Sequence, residues 1–275
     1  MNAATRKDAC IVNGGAGAWA FAPLARQLSD ALGLEVCERA RRYNYFLHTD
    51  DLREWDETTS FIPKRSVCIA ADKREIAVAF KKANVPTSET HLLNIYSEVS
   101  DLLRRAPEKE WCLKFPTGCG ASGHRLLKNT DAEPSRWPRP FVVQEFVRMD
   151  SPKVYRTYCA GGELFGWMVR AFPPGHPTSP WVAHAKGARY QRGEEAPRDA
   201  ITAAAKALDA CGLRESFGCA DLIQRATGEW LVLEVGSDGF FNYVDRDLGD
   251  SEFEEELSHR IALAFWARAK THLNY

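Results

Sequence analysis

The chain has 275 residues, 45% hydrophobic and 27% charged, enough for a sizeable core and one to three domains of an ordinary globular protein. Its 36 basic and 37 acidic residues leave a net charge of −1, which gives no support to a general affinity for nucleic acid or an anionic membrane. Eight cysteines stand singly with no CxxC pair, and no stretch suits a signal core or a membrane span, so the expected setting is a reducing cytoplasm.

Ala9 to Asn13 reads as a short apolar strand entering the turn Gly14-Gly15-Ala16-Gly17. A helix follows, with Phe21, Leu24, Ala25, Leu28 and Leu32 on one face and Gly33 as its stop. Leu34 to Cys37 is a second strand, which makes a small α/β layer. The glycines invite a dinucleotide reading, but the G-x-G-x-x-G pattern is incomplete and a tight strand-to-helix turn explains them. Residues 43–66 show no period and read as a loop, and Ser66 to Ala71 as a strand. Asp72-Lys73-Arg74-Glu75 has the pattern of a capping box and opens a helix with Ile76, Ala79, Phe80 and Ala83 inward, ended by Asn84-Val85-Pro86-Thr87.

After a helix near Val99–Arg105, residues 110–115 form a strand carrying Lys114, followed by a loop with Gly118, Gly120, Ser122 and Gly123. Backbone N–H groups free of a Cβ can cradle anionic oxygens there while the ammonium neutralises charge, although this is not a Walker A loop and a flexible surface loop would have the same composition. Lys73 sits at a helix N-terminus, already partially positive, where an anion would relieve the conflict. Phe141 to Val147 is an apolar strand; the backbone of Gln144, Glu145, Phe146 and Val147 could meet a base, with Glu145 or Asp150 on a polar edge of the nucleoside. Two strands joined across Gly161-Gly162 carry Arg156 and Arg170, and Lys186 precedes Gly187 in a polar loop; clustered guanidiniums suit phosphoryl groups and carboxylates.

A helix from Asp199 to Cys211 stops at Gly212, and a last helix begins at Ser251 with the face Phe253, Leu257, Ile261, Ala264 and Phe265. Between them, Gly218–Gln224 and Trp230–Val235 read as a hairpin with a two-residue turn at Thr227-Gly228. That register sets Asp221 opposite Glu234 on one face, with Cβ atoms about 5 Å apart. Like charges so placed need compensation, and Mg²⁺ held by one or two carboxylates plus substrate phosphates supplies it.

The ordered set of Asp72-Lys73, Val85-Pro86-Thr87, Leu113-Lys114 with its glycine loop, Gln144-Glu145-Phe146-Val147, Val154-Tyr155-Arg156, Gly161-Gly162, Arg170 and Asp221 thirteen residues before Glu234 resembles the ATP-grasp superfamily. Within it, the chain is most similar to carboxylate–amine ligases of the ribosomal-protein S6 glutamylase, D-alanine–D-alanine ligase and glutathione synthetase kind. The resemblance runs from about residue 66 to 245. It implies an α/β (α+β) ATP-grasp fold: a small N-terminal α/β domain over 1–70, a central lid subdomain over 71–145 and a C-terminal antiparallel-sheet domain over 146–275, with nucleotide between the last two.

The resemblance also implies an ATP-dependent ligase that joins small-molecule carboxylate and amine substrates, amino acids or a peptide end, through an acyl phosphate. It places ATP on Lys73, Lys114, the glycine loop and the hinge 144–147, Mg²⁺ (one ion or two, Mn²⁺ being an alternative) on Asp221 and Glu234, and the γ-phosphate near Arg170 and Lys186-Gly187. Where the family has Glu-x-Asn, this chain reads Glu234-Val235-Gly236, which leaves the second metal to Asp238, to Asn242 or to water, or else leaves one metal site weak. A catalytically reduced ATP-binding module, a small-molecule hydroxyl kinase and, more remotely, an NAD-binding oxidoreductase are the alternatives, and a homodimer is compatible with the chain. Trp181, His184, Tyr190 and Tyr243 are candidates to line the acceptor pocket.

Overall fold

The computed structural model describes residues 7–118, 120–237 and 242–273. Three sheets organise the chain. In the first, β1 (Ala9–Asn13) lies parallel between β2 (Val36–Cys37) and β3 (Tyr43–His48). Both faces of β1 are covered, as parallel strands require. Ala9 and Ile11 enter the main core, whereas Cys10 and Val12 pack with Phe46 and Trp55 on the other side. The same double burial explains why β3 shows no alternation in the sequence: Tyr43, Asn44, Tyr45 and Phe46 are all buried, so the segment expected to be a loop contains a strand.

The segment expected as a strand at 66–71 is instead the helix α2 (Lys64–Ala71), which follows α1 (Ala22–Leu32). Pro63, with φ −59° and ψ 137°, sets the entry to α2, and tertiary packing overrides the weak β preference of Val67 and Ile69. Asp72 stays extended at φ −127° and ψ 115°, ends α2 and caps α3 (Lys73–Ala83) by accepting from the Arg74 amide. That single break puts Lys73 at the first position of α3, where its amide donates to the Pro116 carbonyl at 2.9 Å.

The second sheet is antiparallel, ordered β4 (Thr90–Leu93), β7 (Phe141–Glu145), β5 (Trp111–Lys114), β6 (Arg125–Leu126). Its own core joins Val99, Leu102 and Leu103 of α4 (Tyr96–Arg105) to Trp111, Leu113, Phe141 and Val143. The third sheet runs β10 (Arg189–Arg192), β9 (Glu163–Ala171), β8 (Lys153–Ala160), β11 (Phe217–Gln224), β12 (Trp230–Gly236), antiparallel throughout. Gly161 (φ 58°) and Gly162 (φ 90°) make the left-handed turn between β8 and β9.

Helices α5 (Arg198–Ala210), α6 (Asn242–Leu248) and α7 (Glu252–Leu273) complete the chain. Phe253, Leu257, Ile261, Ala264 and Phe265 of α7 are buried in one core with β1, α1, α3 and the third sheet. Phe265 packs on Tyr43 with ring centroids 5.1 Å apart, and Trp266 Nε1 donates to the Leu32 carbonyl at 3.1 Å, tying the end of the chain to its beginning. The first turn of α7 is capped from α6, where Asp245 accepts from the Glu254 amide at 2.7 Å, while the Ser251 hydroxyl donates to the Glu255 carboxylate at 3.0 Å.

Candidate active site

The β11–β12 hairpin differs from its simplest reading in two places that cancel. Arg225 donates to the Glu229 carbonyl, so the loop is three residues, Ala226 to Gly228, with Gly228 at φ 88°. Near the turn, Gln224 faces Trp230 and Leu222 faces Val232. One residue further on the register shifts, Leu233 is bulged out, and Asp221 comes to face Glu234 after all. The turn is therefore not the two-residue one expected, while the carboxylate pairing is as expected. The bulge also turns two consecutive side chains, Leu233 and Glu234, toward the same cleft.

That cleft, about 650 Å³, lies between the second and third sheets. Its walls include Lys73, Lys114, Gly118, Gly120, Gln144, Glu145, Phe146, Val147, Arg156, Arg170, Asp221 and Glu234. Ser122, Gly123 and Asp150 are exposed on loops, Lys186 is exposed at the end of the short 3-10 helix His184–Lys186, and none of the four forms the wall; Asp238 lies outside the described residues, as do the side chains of Asn242 and Tyr243.

Asp221 is 2% exposed, and both its oxygens are taken. Arg156 Nε donates to Oδ1 at 2.6 Å and its terminal nitrogen to Oδ2 at 2.9 Å, while Arg170 donates to Oδ2 at 2.9 Å. Strand register makes this possible, because Arg156 on β8 lies directly across from Asp221 on β11. Desolvation opposes the carboxylate's charge, but the two guanidiniums outweigh it and hold its pKa at about 2. Arg170 is further fixed by donating to the Val182 carbonyl at 3.1 Å and the Tyr190 hydroxyl at 3.0 Å.

Glu234 is more open: its side chain is 42% exposed and its nearest cation is Lys73 Nζ at 3.7 Å. Lys73 also donates to the Gly118 carbonyl at 2.6 Å, which ties the α3 N-terminus to the glycine loop. Burial depresses the Lys114 pKa, and the neighbouring Lys73 ammonium adds to that effect. Gly118 must be glycine, since a Cβ there would lie 2.8 Å from the Ser122 carbonyl oxygen. Gly120, at φ 58°, brings the loop against Ala185 of the facing segment.

The other end of the cleft is apolar. Val147, Met149, Val154, Val182, Ile223 and Leu233 belong to one hydrophobic cluster and all line it. The β7 ladder ends at Glu145, and Phe146–Val147 continue beyond it along the cleft. Gln144 is held by Thr90 at 2.9 Å, and Glu145 by a bidentate pair with Arg225 at 2.9 and 2.7 Å, so the Glu145 carboxylate is already neutralised. Trp181, His184 and Tyr190 line the same cleft.

His124 is a wall residue that sequence reasoning missed. It packs on Trp181 with ring centroids 5.4 Å apart, and Trp181 in turn meets Phe146 at 5.2 Å. Burial, with Lys114 and Lys73 nearby, pushes the His124 pKa down to about 3, so its ring is neutral at pH 7. The only signal was its place directly after Gly123.

Four cations with an apolar slot fit a nucleoside triphosphate. A metal fits less completely: Glu234 presents oxygens to the cleft, whereas those of Asp221 are occupied, and no cluster of three or more His, Cys, Asp or Glu suited to a metal occurs among the described residues. A Mg²⁺ ion held mainly by phosphates needs only one or two carboxylates.

No family model matches the sequence, and no curated protein matches it. Solved structures do. D-cycloserine synthetase DcsG superposes with a TM-score of 0.67 at 19% identity, over 95% of this chain and 99% of that one. The ATP-grasp ligase PsnB, in a complex with minimal precursor, Mg and ADP, gives 0.67 at 14% identity over 98% and 99%. A D-alanine–D-alanine ligase from Bacillus anthracis gives 0.65 at 11% identity over 97% and 99%. With a cleft between two antiparallel sheets and whole-length superposition on these proteins, the chain has the ATP-grasp fold.

Proposed function

We propose that this protein is an ATP-dependent carboxylate–amine ligase, which forms an amide or peptide bond through an acyl phosphate and releases ADP and phosphate. The observation that carries the reading is one cleft with an apolar slot at one end and Lys73, Lys114, Arg156, Arg170, Asp221 and Glu234 at the other. The names of the structural neighbours, a synthetase and two ligases, support it.

On this reading the base lies against Val147, Met149, Val154, Ile223 and Leu233, and the phosphates reach toward Lys73 and Lys114. An oxygen of the substrate carboxylate attacks the γ-phosphorus and the β–γ bridging oxygen leaves on ADP. The amine nitrogen then attacks the acyl carbon, and inorganic phosphate leaves as the C–O bond breaks. Little covalent chemistry is asked of the protein; positioning and charge neutralisation carry both steps. Arg156 and Arg170 present the planar, paired donors that suit phosphate and acyl-phosphate oxygens.

We assign Mg²⁺ to Glu234 with Asp221 beside it; bound there it would neutralise phosphate charge. For Asp221 to serve, its two guanidiniums must transfer to phosphate oxygens, so nucleotide and metal would be taken up together. We also assign the second sheet with its glycine loop as the cover of the nucleotide, and place the protein in the cytoplasm. Cys10, Cys37, Cys68, Cys112, Cys159, Cys211 and Cys219 are joined in no disulfide, which agrees with that setting, and no helix among the described residues is long and apolar enough to cross a membrane.

The deciding experiment incubates the protein with ATP, Mg²⁺ and pairs of amino acids, and reads ADP and product mass. A ligase gives one ADP per product and a mass equal to both substrates less one water. A gain of phosphate on one substrate would instead mean a kinase. Tight nucleotide binding with no turnover would favour the second reading, a reduced ATP-binding module, for which Gly236 and the doubly paired Asp221 are the supporting observations.

A further inference from the structure

A second cavity, about 250 Å³, opens in the N-terminal layer. Its walls are rings and aliphatic chains: Phe21 before α1, Tyr45 and Phe46 of β3, Trp55, and Val67 of α2. Phe46 and Trp55 stack with centroids 4.9 Å apart and planes 12° apart, which gives the wall a flat aromatic panel. No wall residue is charged. A carboxylate or ammonium could not be buried there without several kcal/mol of desolvation cost, whereas an apolar group gains about 25 cal/mol per Å² removed from water. The cavity lies against the later half of β3: Tyr45 and Phe46 pair with Ile11 and Val12 of β1, and Leu47 falls at the register shift that follows. This is toward the carboxyl end of the parallel strands, where open α/β layers take ligands.

Its place relative to the cleft gives it a use. Ala70, Ala71 and Gly236 line both cavities. Gly236 follows Glu234 by two residues, about 7 Å along a strand, and Ala71 precedes Lys73 by two. The neck between the cavities is therefore built of small residues and ends beside the groups assigned to the phosphates. The Gly236 departure from the family pattern acquires a reason here, since it keeps that neck free of a side chain.

Building on the ligase reading, we propose that this cavity receives the aliphatic or aromatic side chain of one of the two joined substrates, while that substrate's reacting group stays in the charged cleft. The substrate class is then an amino acid, or a peptide end, with a leucine- to phenylalanine-like side chain. An apolar cavity of about 150 Å³ already admits a benzene ring, so the volume here is sufficient.

Two measurements on the full chain test this. Calorimetric titration with toluene, independent of turnover, is expected to show one site that Leu24→Trp and Val67→Phe each abolish. Two variants from different helices are used so that one may fail to fold, and melting temperature reports which is intact. No toluene binding, or binding that neither folded variant changes, overturns the proposal whatever becomes of the ligase reading.

In the second measurement, ADP release is compared for amino-acid pairs with leucine or phenylalanine and pairs drawn only from glycine, glutamate and lysine. At least tenfold faster release with the apolar pairs is expected. In the intact filled variant the KM for the apolar member should rise at least tenfold while the KM for ATP stays put. Equal rates for both groups of pairs would overturn the proposal and leave the ligase reading standing. Toluene binding without ADP release from any pair would sink the ligase reading, and the substrate assignment with it, while the apolar site remains.

Discussion

The two cavities that meet at Ala70, Ala71 and Gly236 are built on opposite principles. The reacting end of the cleft between the antiparallel sheets is walled by charge: two guanidiniums on one buried carboxylate, two ammoniums and an open glutamate. The N-terminal cavity is walled by rings and branched chains with no charge at all. Charge placed by strand register can serve any triphosphate and any acyl phosphate, and says nothing about which substrate is activated. An apolar cavity adds no chemistry but selects by shape and desolvation. If the proposed roles hold, reactivity belongs to one region and choice to the other, and substitutions can separate them.

The largest effect is expected from Glu234→Gln, which should cut ADP release by about 10²–10³-fold, the usual cost of losing one electrostatic stabiliser of the transition state. Its melting temperature should be unchanged, because the side chain is 42% exposed; near-normal turnover would remove Glu234 from the chemistry. Asp221→Asn should lose turnover too, but also stability, by about 3–5 kcal/mol, since two buried guanidiniums lose their counterion. Denaturant unfolding distinguishes the two carboxylates, and an Asp221 variant as stable as the parent would show that the arginine pairs are dispensable.

Next, Lys114→Ala should weaken nucleotide affinity by about 10–100-fold, the worth of one charged hydrogen bond, with calorimetry as the check. The Lys114 pKa is lowered from 10.5. A bound phosphate would raise it again, so nucleotide binding should take up a proton at alkaline pH below that value, and affinity should fall as pH rises there. Titrations in buffers of differing ionisation heat read this directly, and identical heats would count against Lys114 facing the phosphates.

The smallest effect concerns His124, whose folded pKa of about 3 lies below its ordinary 6.5. The unfolded chain binds this proton first, so stability is full above pH 6.5 and falls as pH drops toward 3. His124→Phe should flatten that part of the melting profile, and an unaltered slope would mean that the acid sensitivity has other sources.

Much of the cleft was legible in the sequence because it depends on local pattern. Lys73 stands at a capped helix start, Lys114 at the end of an apolar strand before glycines, and Asp221 and Glu234 thirteen apart across a turn. Alternation and capping are short-range rules, and these residues obey them. The strand at Tyr43–His48 was not legible, since burial on both faces erases the period that marks a strand. Residues 66–71 went wrong for the complementary reason: a short apolar run has no length with which to choose between strand and helix, and packing chose. The Arg156–Asp221–Arg170 cluster needed the β8–β11 register, which no local rule supplies. The apolar cavity was out of reach altogether, because Phe21, Tyr45, Val67 and Phe217 come from four separate stretches of chain.

The hairpin that carries Asp221 and Glu234 contains one surplus residue at its tip and another at Leu233. Neither decides which side chains meet, because Arg225–Glu229, Gln224–Trp230, Leu222–Val232 and Asp221–Glu234 stand on either side of them. Removing the tip residue would only tighten the loop, and removing Leu233 would straighten β12 at the cost of its apolar contact. Anyone trimming or grafting this ribbon could therefore drop either extra residue without parting the two carboxylates.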